Sequence, residues 1–247
     1  MLRISLAVGL LVLAGCSRPP VPSEAERASA DSAFVWLSEL DREPLDTAFG
    51  RLHQLGYTET QTVTRFGEDG APADSFRAVT QFSGEAGTRT ADVHVAFASD
   101  GFAPDTDDTE TTLDLSDFLA DEPAFLSERG QENYLYTRAP DSTLGNRQLL
   151  VFDVQARPET SGAVKVQHAR LFIDTETRTL AGFDIRREDT SFLFDEIARY
   201  RFGLQPTLDA GWLPAHFEAT TLADGLFVPA THARVELRFA RSRSDEG

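Results

Sequence analysis

Residues 132–241 alternate apolar and polar side chains with a period of two, and turn chemistry interrupts the alternation again and again. That pattern restricts this part of the chain to an antiparallel β meander. In the last segment Ala233, Val235, Leu237 and Phe239 alternate with His232, Arg234, Glu236 and Arg238. One set is predicted to face a core and the other to face water. The candidate strands are 132–138, 147–156, 163–174, 179–188, 195–204, 214–222 and 231–241. Pro140-Asp141, Pro158 to Gly162, Asp174 to Thr177 and Ala223-Asp224-Gly225 supply the turns between them.

The same period appears earlier. Phe76, Ala78, Thr80 and Phe82 alternate with Arg77, Val79 and Gln81, and Ala91, Val93, Val95 and Phe97 alternate with Asp92, His94 and Ala96. Gly67–Gly70 and Gly84–Gly87 read as turns. Ahead of Tyr57 the period is helical. Phe34, Leu37 and Leu40 share one face of a first helix. A second starts near Pro44, a residue suited to a first helical position, and carries Leu45, Ala48, Phe49, Leu52 and Leu55. Gly56 is its expected C-terminal cap. The stretch from Leu113 to Leu126 reads as an interrupted helical segment broken at Pro123. The expected class is α+β, mainly β: one curved antiparallel sheet with helices packed on it.

The chain begins with one positive charge, Arg3, and an apolar run from Ile4 to Gly15. This run is shorter than the roughly 20 apolar residues a membrane-spanning helix needs, and it suits a secretory signal. It ends Leu13-Ala14-Gly15-Cys16, which resembles the bacterial lipobox. Cys16 is the only cysteine. The resemblance implies cleavage before Cys16, an S-diacylglycerol and an N-palmitoyl group on it, and attachment to a membrane. Lipid attachment contributes about 0.8 kcal/mol per buried methylene. With no second cysteine there is no intrachain disulfide, and stability rests on the core. The expected organisation is a signal at 1–15, lipidated Cys16 and a Pro-rich tether to residue 30, one domain over 31–243 and a tail at 244–247. Ser17 after the lipidated position favours the outer over the inner membrane, with the domain facing the periplasm.

The net charge is −17 and Lys165 is the only lysine. Such a surface argues against nucleic acid and against an anionic membrane face as electrostatic partners. The acidity is spread along the chain, as in proteins of salt-loving bacteria. A monomer is expected.

The segment Leu171-Phe172-Ile173-Asp174-Thr175-Glu176-Thr177-Arg178, with the strand that follows it and Gly211-Trp212-Leu213-Pro214, resembles the strand–turn elements of the LolA/LolB-like superfamily. Thr175 and Arg178 stand where that family usually has Pro and Gly. The resemblance implies an incomplete, strongly curved barrel with helices as a lid on its concave side. It also implies a concave apolar face that binds acyl chains or lipoproteins. Residues 113–126 are the candidate for the projecting apolar loop of its receptor branch.

No catalytic set stands out. The five histidines, His53, His94, His168, His216 and His232, form no metalloprotease spacing. His94 and His168 fall in strands from which they could meet across the sheet, and solvent-facing roles are favoured over metal ligation. Asp105, Asp107, Asp108 and Glu110 fail the calcium-loop spacing, because Glu110 sits where Gly is required. Trp36 and Trp212 are read as core in preference to cavity lining. No enzyme, metal or cofactor is expected. The favoured function is binding of a hydrophobic ligand or lipoprotein acyl chains, with affinity from apolar burial at about 25 cal/mol per Å². The alternatives are a structural or protein-interaction lipoprotein with a closed core, and an envelope hydrolase.

Overall fold

The computed structural model describes residues 24–41, 43–82, 89–97, 124–127, 132–190, 194–209, 211–225 and 228–241. Two helices, α1 (Glu24–Ser38) and α2 (Glu43–Leu55), precede ten strands. The strands are β1 (Tyr57–Phe66), β2 (Pro72–Phe82), β3 (Arg89–Phe97), β4 (Tyr134–Leu144), β5 (Arg147–Ala156), β6 (Val166–Asp174), β7 (Leu180–Thr190), β8 (Phe194–Thr207), β9 (Gly211–Gly225) and β10 (Val228–Arg241). They form one antiparallel sheet in the order β3-β2-β1-β10-β9-β8-β7-β6-β5-β4, and among the described residues β3 and β4 do not pair to close it. The mainly β, open-sheet architecture expected from the sequence is the observed one.

Period two decides the two faces. On the inner face the cross-strand row Ala78, Gln61, Leu237, Phe217, Phe202, Phe183, Leu171 and Phe152 runs from β2 to β5. Directly opposed side chains stand close enough to pack as one layer. Both helices lie on this face. Ala33 and Leu37 of α1 and Ala48 and Leu52 of α2 are at most 3% exposed and belong to the same core as the sheet residues. Phe34 meets Tyr136 edge-on at 5.1 Å, and Phe49 contacts Phe202 at 6.1 Å and Phe239 at 5.5 Å.

Local chemistry explains the helix ends. The Asp41 carboxylate accepts the Glu43 N–H at 3.1 Å at the entry to α2. Gly56 ends α2 in the left-handed conformation, φ 74°, where a Cβ would be strained. Helix α1 starts at Glu24, so residues 24–30, assigned to the tether, are helical. The Pro residues at 19, 20 and 22 stop short of it, and Glu24-Ala25-Glu26-Arg27-Ala28 are helix formers.

One expected turn lies elsewhere. Pro140-Asp141 sits within β4 as a bulge, with the register shifting between Ala139 and Ser142. The hairpin closes instead at Gly145, φ 61°. Residues 223–225 end β9, and residues 226–227 after them lie outside the described residues. Pro214, expected as a strand entry, lies inside β9 where the register with β8 shifts between Gly203 and Leu204. A residue without an N–H is tolerated at such an irregularity. Gly84–Gly87, the loop at 99–112 and the segment 113–123 lie outside the described residues, as does Cys16. Phe125 is described. It is 1% exposed, meets the Tyr134 ring edge-on, and its carbonyl accepts the Tyr136 hydroxyl at 2.6 Å. This end of the candidate apolar loop is therefore core.

Candidate functional site

The inner face of the sheet packs with both helices into the buried apolar core. Phe183 and Phe202 meet with tilted rings at 5.5 Å, Tyr57 and Phe82 stack nearly parallel at 4.4 Å, and Phe49 of α2 reaches into this layer. Buried polar groups interrupt it toward β1 and β2, where Gln61, Thr80 and Asp74 are each at most 5% exposed and Asp74 pairs with Arg65, and at the β6–β7 turn, where Asp174 and Thr179 are buried. Burial also pushes the Tyr134 and Tyr136 hydroxyls to higher pKa, which keeps both neutral. The described residues of this face are suited to apolar contact.

A turn on β6–β7 holds the helices to this face. The buried Asp174 carboxylate accepts the N–H groups of Glu176 and Thr177 at 3.1 and 2.7 Å and the Thr177 hydroxyl at 2.8 Å. Arg147 Nη1 approaches the same oxygen at 3.3 Å. This network shapes the turn so that Arg178 takes the left-handed conformation, φ 58°. The position at which the resembled family usually carries Gly is thus the one whose backbone favours Gly. Arg178 has a compensating use. Its guanidinium lies 4.6 Å over the Trp36 ring and pairs with Glu39, while its carbonyl accepts the Asp41 N–H at 2.9 Å. Asp41 also bridges to Thr179. The link between α1 and α2 is therefore latched to the sheet.

The latch yields a prediction. Arg178→Ala keeps the left-handed strain and loses the cation–π and ion-pair contacts, so stability falls by about 1 kcal/mol. Arg178→Gly loses the same contacts but relieves the backbone, and should exceed the Ala variant by about 1 kcal/mol. Urea unfolding of both variants checks the order; an Ala variant at or above the Gly variant contradicts it.

The outer face is a ladder of charges. Asp153, Arg170, Asp184, Arg201 and Glu218 stand in register on β5 to β9. Arg170 contacts both Asp153 oxygens at 2.6 and 3.0 Å. Burial raises the Asp184 pKa, but the hydrogen bonds and charges of Arg199 and Arg201 outweigh it and hold the carboxyl below the ordinary range. His216 stands on the same face. Burial and the nearby Arg238 and Arg201 push its pKa down, against a smaller opposing pull from Glu218.

That direction sets a pH dependence. The unfolded imidazole takes up a proton near 6.5 and the folded one only at lower pH. His216 therefore costs no stability above the ordinary imidazole value, and stability falls as pH drops from there toward the folded pKa, then levels. The difference in urea midpoint between wild type and His216→Gln, taken at about pH 7.5 and about pH 5, should change in favour of the Gln variant at the lower pH. Equal differences at both pH values contradict the assignment.

The structure separates the other residues singled out by sequence. His94 is on β3 at the sheet edge, in register with Arg77, and His168 is on β6. Strands β2, β1, β10, β9, β8 and β7 lie between them, so they do not meet. His168 lies 3.8 Å from Asp153. His53 packs on Tyr57 and Phe82, and His232 stacks on Phe66 at 4.4 Å. Among the described residues no group of His, Asp and Glu gathers to hold a metal ion. Trp212 is 5% exposed and Trp36 lies under Arg178, so both serve packing. Sequence reasoning passed over Gly182 and Gly203, which oppose each other in the middle of the outer face. The available signal was an isolated Gly within each of two strand patterns, which marks a bulge or a close approach.

No protein-family model matches the chain, and no curated relative matches it. Solved structures similar to it include a DUF1329 family protein from Desulfovibrio piger, 12% identical, TM-score 0.32, covering 91% of this chain and 95% of that one. A putative outer membrane lipoprotein-sorting protein domain from Vibrio parahaemolyticus is 10% identical, TM-score 0.30, with 89% and 95% covered. MucB, in complex with MucA(peri), is 13% identical, TM-score 0.24, with 83% and 93% covered. Among the described residues no helix is long and apolar enough to cross a membrane.

Proposed function

We propose that this chain is a lipid-anchored cell-envelope protein that binds a hydrophobic ligand, acyl chains of a lipid or lipoprotein, between its helices and the inner face of its sheet. The observation that carries the reading is the continuous apolar row Leu237, Phe217, Phe202, Phe183, Leu171 and Phe152 on an open sheet, covered by two helices. The Arg178 latch ties down the helical cover. The 171–178 resemblance and the signal ahead of Cys16 agree with an envelope setting. In this reading the membrane attachment is through Cys16, the outer membrane is favoured, and binding involves no catalytic step. Affinity comes from removing apolar surface from water.

The test is to purify the form lacking residues 1–16, extract it with organic solvent and identify bound lipid by mass spectrometry. Co-purified lipid and saturable binding of a fluorescent fatty acid are expected. Finding neither sinks the reading. Cys16→Ser in the full chain should lose acyl labelling and remain unprocessed, as followed by labelled-palmitate incorporation and the size of the chain; normal processing overturns the anchor.

A second reading has its own observation. Ala33, Leu37, Ala48 and Leu52 fill the space beneath the helices, each at most 3% exposed. That packing favours an interaction lipoprotein with a closed core. Under the first reading the ligand enters only when the helices move, so Arg178→Ala should speed fatty-acid uptake. Under the second it has no effect.

A further inference from the structure

Beyond the helices the inner face stays partly open. One row further from the Arg178 turn, Tyr200, Ala219 and Val235 stand side by side on β8, β9 and β10, packed on the core but only half-buried. The next row is Arg187, Ala198, Thr221 and Ala233. Its three small side chains leave a shallow trough, and Arg187 stands at the β7 end. Arg187 lies two and four residues beyond Ile185 and Phe183 on one strand, so it faces the same side as both. Its guanidinium is incompletely used. Among the described residues the Arg187 Nε is buried and donates no hydrogen bond. The Nη2 lies 3.3 Å from Asp189, a carboxylate that Lys165 already holds at 2.6 Å. A buried donor without an acceptor is costly, and a guanidinium N–H given to an anionic oxygen makes one of the stronger protein hydrogen bonds.

We propose that Arg187 receives the anionic head of an acyl ligand, whose chain runs from it along Tyr200, Ala219 and Val235 toward Phe202 and Phe217. This rests on the inner-face reading above and adds the class of ligand to it: an acyl chain ending in a carboxylate or phosphate oxygen. An uncharged ester head has no charge to pair with the guanidinium, and a cationic head is repelled by it. The chain covers the half-buried apolar row and removes it from water. Asp189 and Glu196 oppose each other in the row beyond Arg187, toward the strand ends. Their charges disfavour an anion on that side, so the head stays at Arg187 and the chain is directed inward along the sheet.

The test uses the chain lacking residues 1–16, which retains every described residue. It is titrated at neutral pH with two fluorescent probes that differ only in the head, dansyl-labelled undecanoic acid and its methyl ester. Wild type should bind the acid roughly tenfold tighter than the ester. Arg187→Met keeps the length of the side chain without its charge, and should bind both probes equally with the ester affinity unchanged. Arg187→Gln should behave in the same way and serves if the Met variant does not fold. Arg186→Met, on the opposite face, should keep the preference. Ala219→Phe fills the apolar row and should weaken acid and ester alike by roughly tenfold. Urea midpoints report that each variant is folded. Equal wild-type affinity for acid and ester overturns the assignment of the head and leaves the inner-face reading standing. A preference that survives in a folded Arg187 variant does the same. Unchanged binding in a folded Ala219→Phe variant overturns the placement of the chain. Binding of neither probe to wild type overturns the inner-face reading and this inference with it.

Discussion

Truncating Phe202 to alanine is expected to destabilise the protein by about 3–5 kcal/mol, the range for removing a buried phenylalanine from a core. Phe202 is 2% exposed on β8, in the centre of the inner row. It touches Phe183 in the sheet and Phe49 on α2, so one truncation opens space on both layers. The sheet backbone on either side is hydrogen-bonded to β7 and β9 and cannot collapse to fill it. For a chain of this size each kcal/mol shifts Tm by about 2–4 °C, so a drop on the order of 10 °C is expected. Calorimetry or urea unfolding measures it. A loss below about 1 kcal/mol would place the stabilising core elsewhere. A double-mutant cycle with Phe49→Leu isolates the contact between helix and sheet, and a coupling of about 0.5 kcal/mol or more is expected if α2 is packed as described.

Gly182→Ala is expected to cost about 2–3 kcal/mol, at the upper end for overpacking. The added Cβ would lie 2.6 Å from the Phe202 carbonyl oxygen and 3.3 Å from the Gly203 Cα. Both are backbone, fixed by the ladder between β7 and β8, so relief requires the strands themselves to move. Gly203→Ala makes the contrast. Its Cβ meets the His216 ring, a side chain able to swing away, so the cost should be smaller. Adding His216→Ala to Gly203→Ala should recover most of that smaller loss, and adding it to Gly182→Ala should recover none. Urea midpoints of the single and double variants check the pattern. Equal rescue of both glycine variants would show that the ring, not the backbone, limits space at each.

The local chemistry of the chain was sufficient to read most elements. Strand β10 alternates over residues 232–239, and β2, β5, β6 and β7 fall close to where period two places them. Gly56 and Gly70 cap or turn the chain with positive φ, as short-range steric rules require. The errors occurred where tertiary pairing overrides a local signal. Pro140-Asp141 is turn-forming chemistry, but pairing with β5 on both sides absorbs it as a bulge. Pro214 reads as a boundary, but the register shift between Gly203 and Leu204 lets β9 run through it. Residues 24–30 are a different case: they read as tether beside the prolines, and their own local helix propensity makes them the start of α1.

Sequence by itself determined the mainly β character, the two leading helices and the division of each strand into a buried and an exposed face. These follow from side-chain period and turn geometry, which act over a few residues. The resemblance of residues 171–178 to a known family also marked Arg178 as standing where Gly is usual, without showing why. Only the tertiary structure decided which strands are neighbours, and hence that His94 and His168 lie far apart. It showed that Arg178 offsets its backbone strain by stacking on Trp36. It alone brought Gly182 beside Gly203, residues on different strands, with the His216 ring over Gly203 and the Phe202 carbonyl against Gly182. The physical reason is the same in each case. Register across a sheet joins residues distant in sequence, and no local period carries that information.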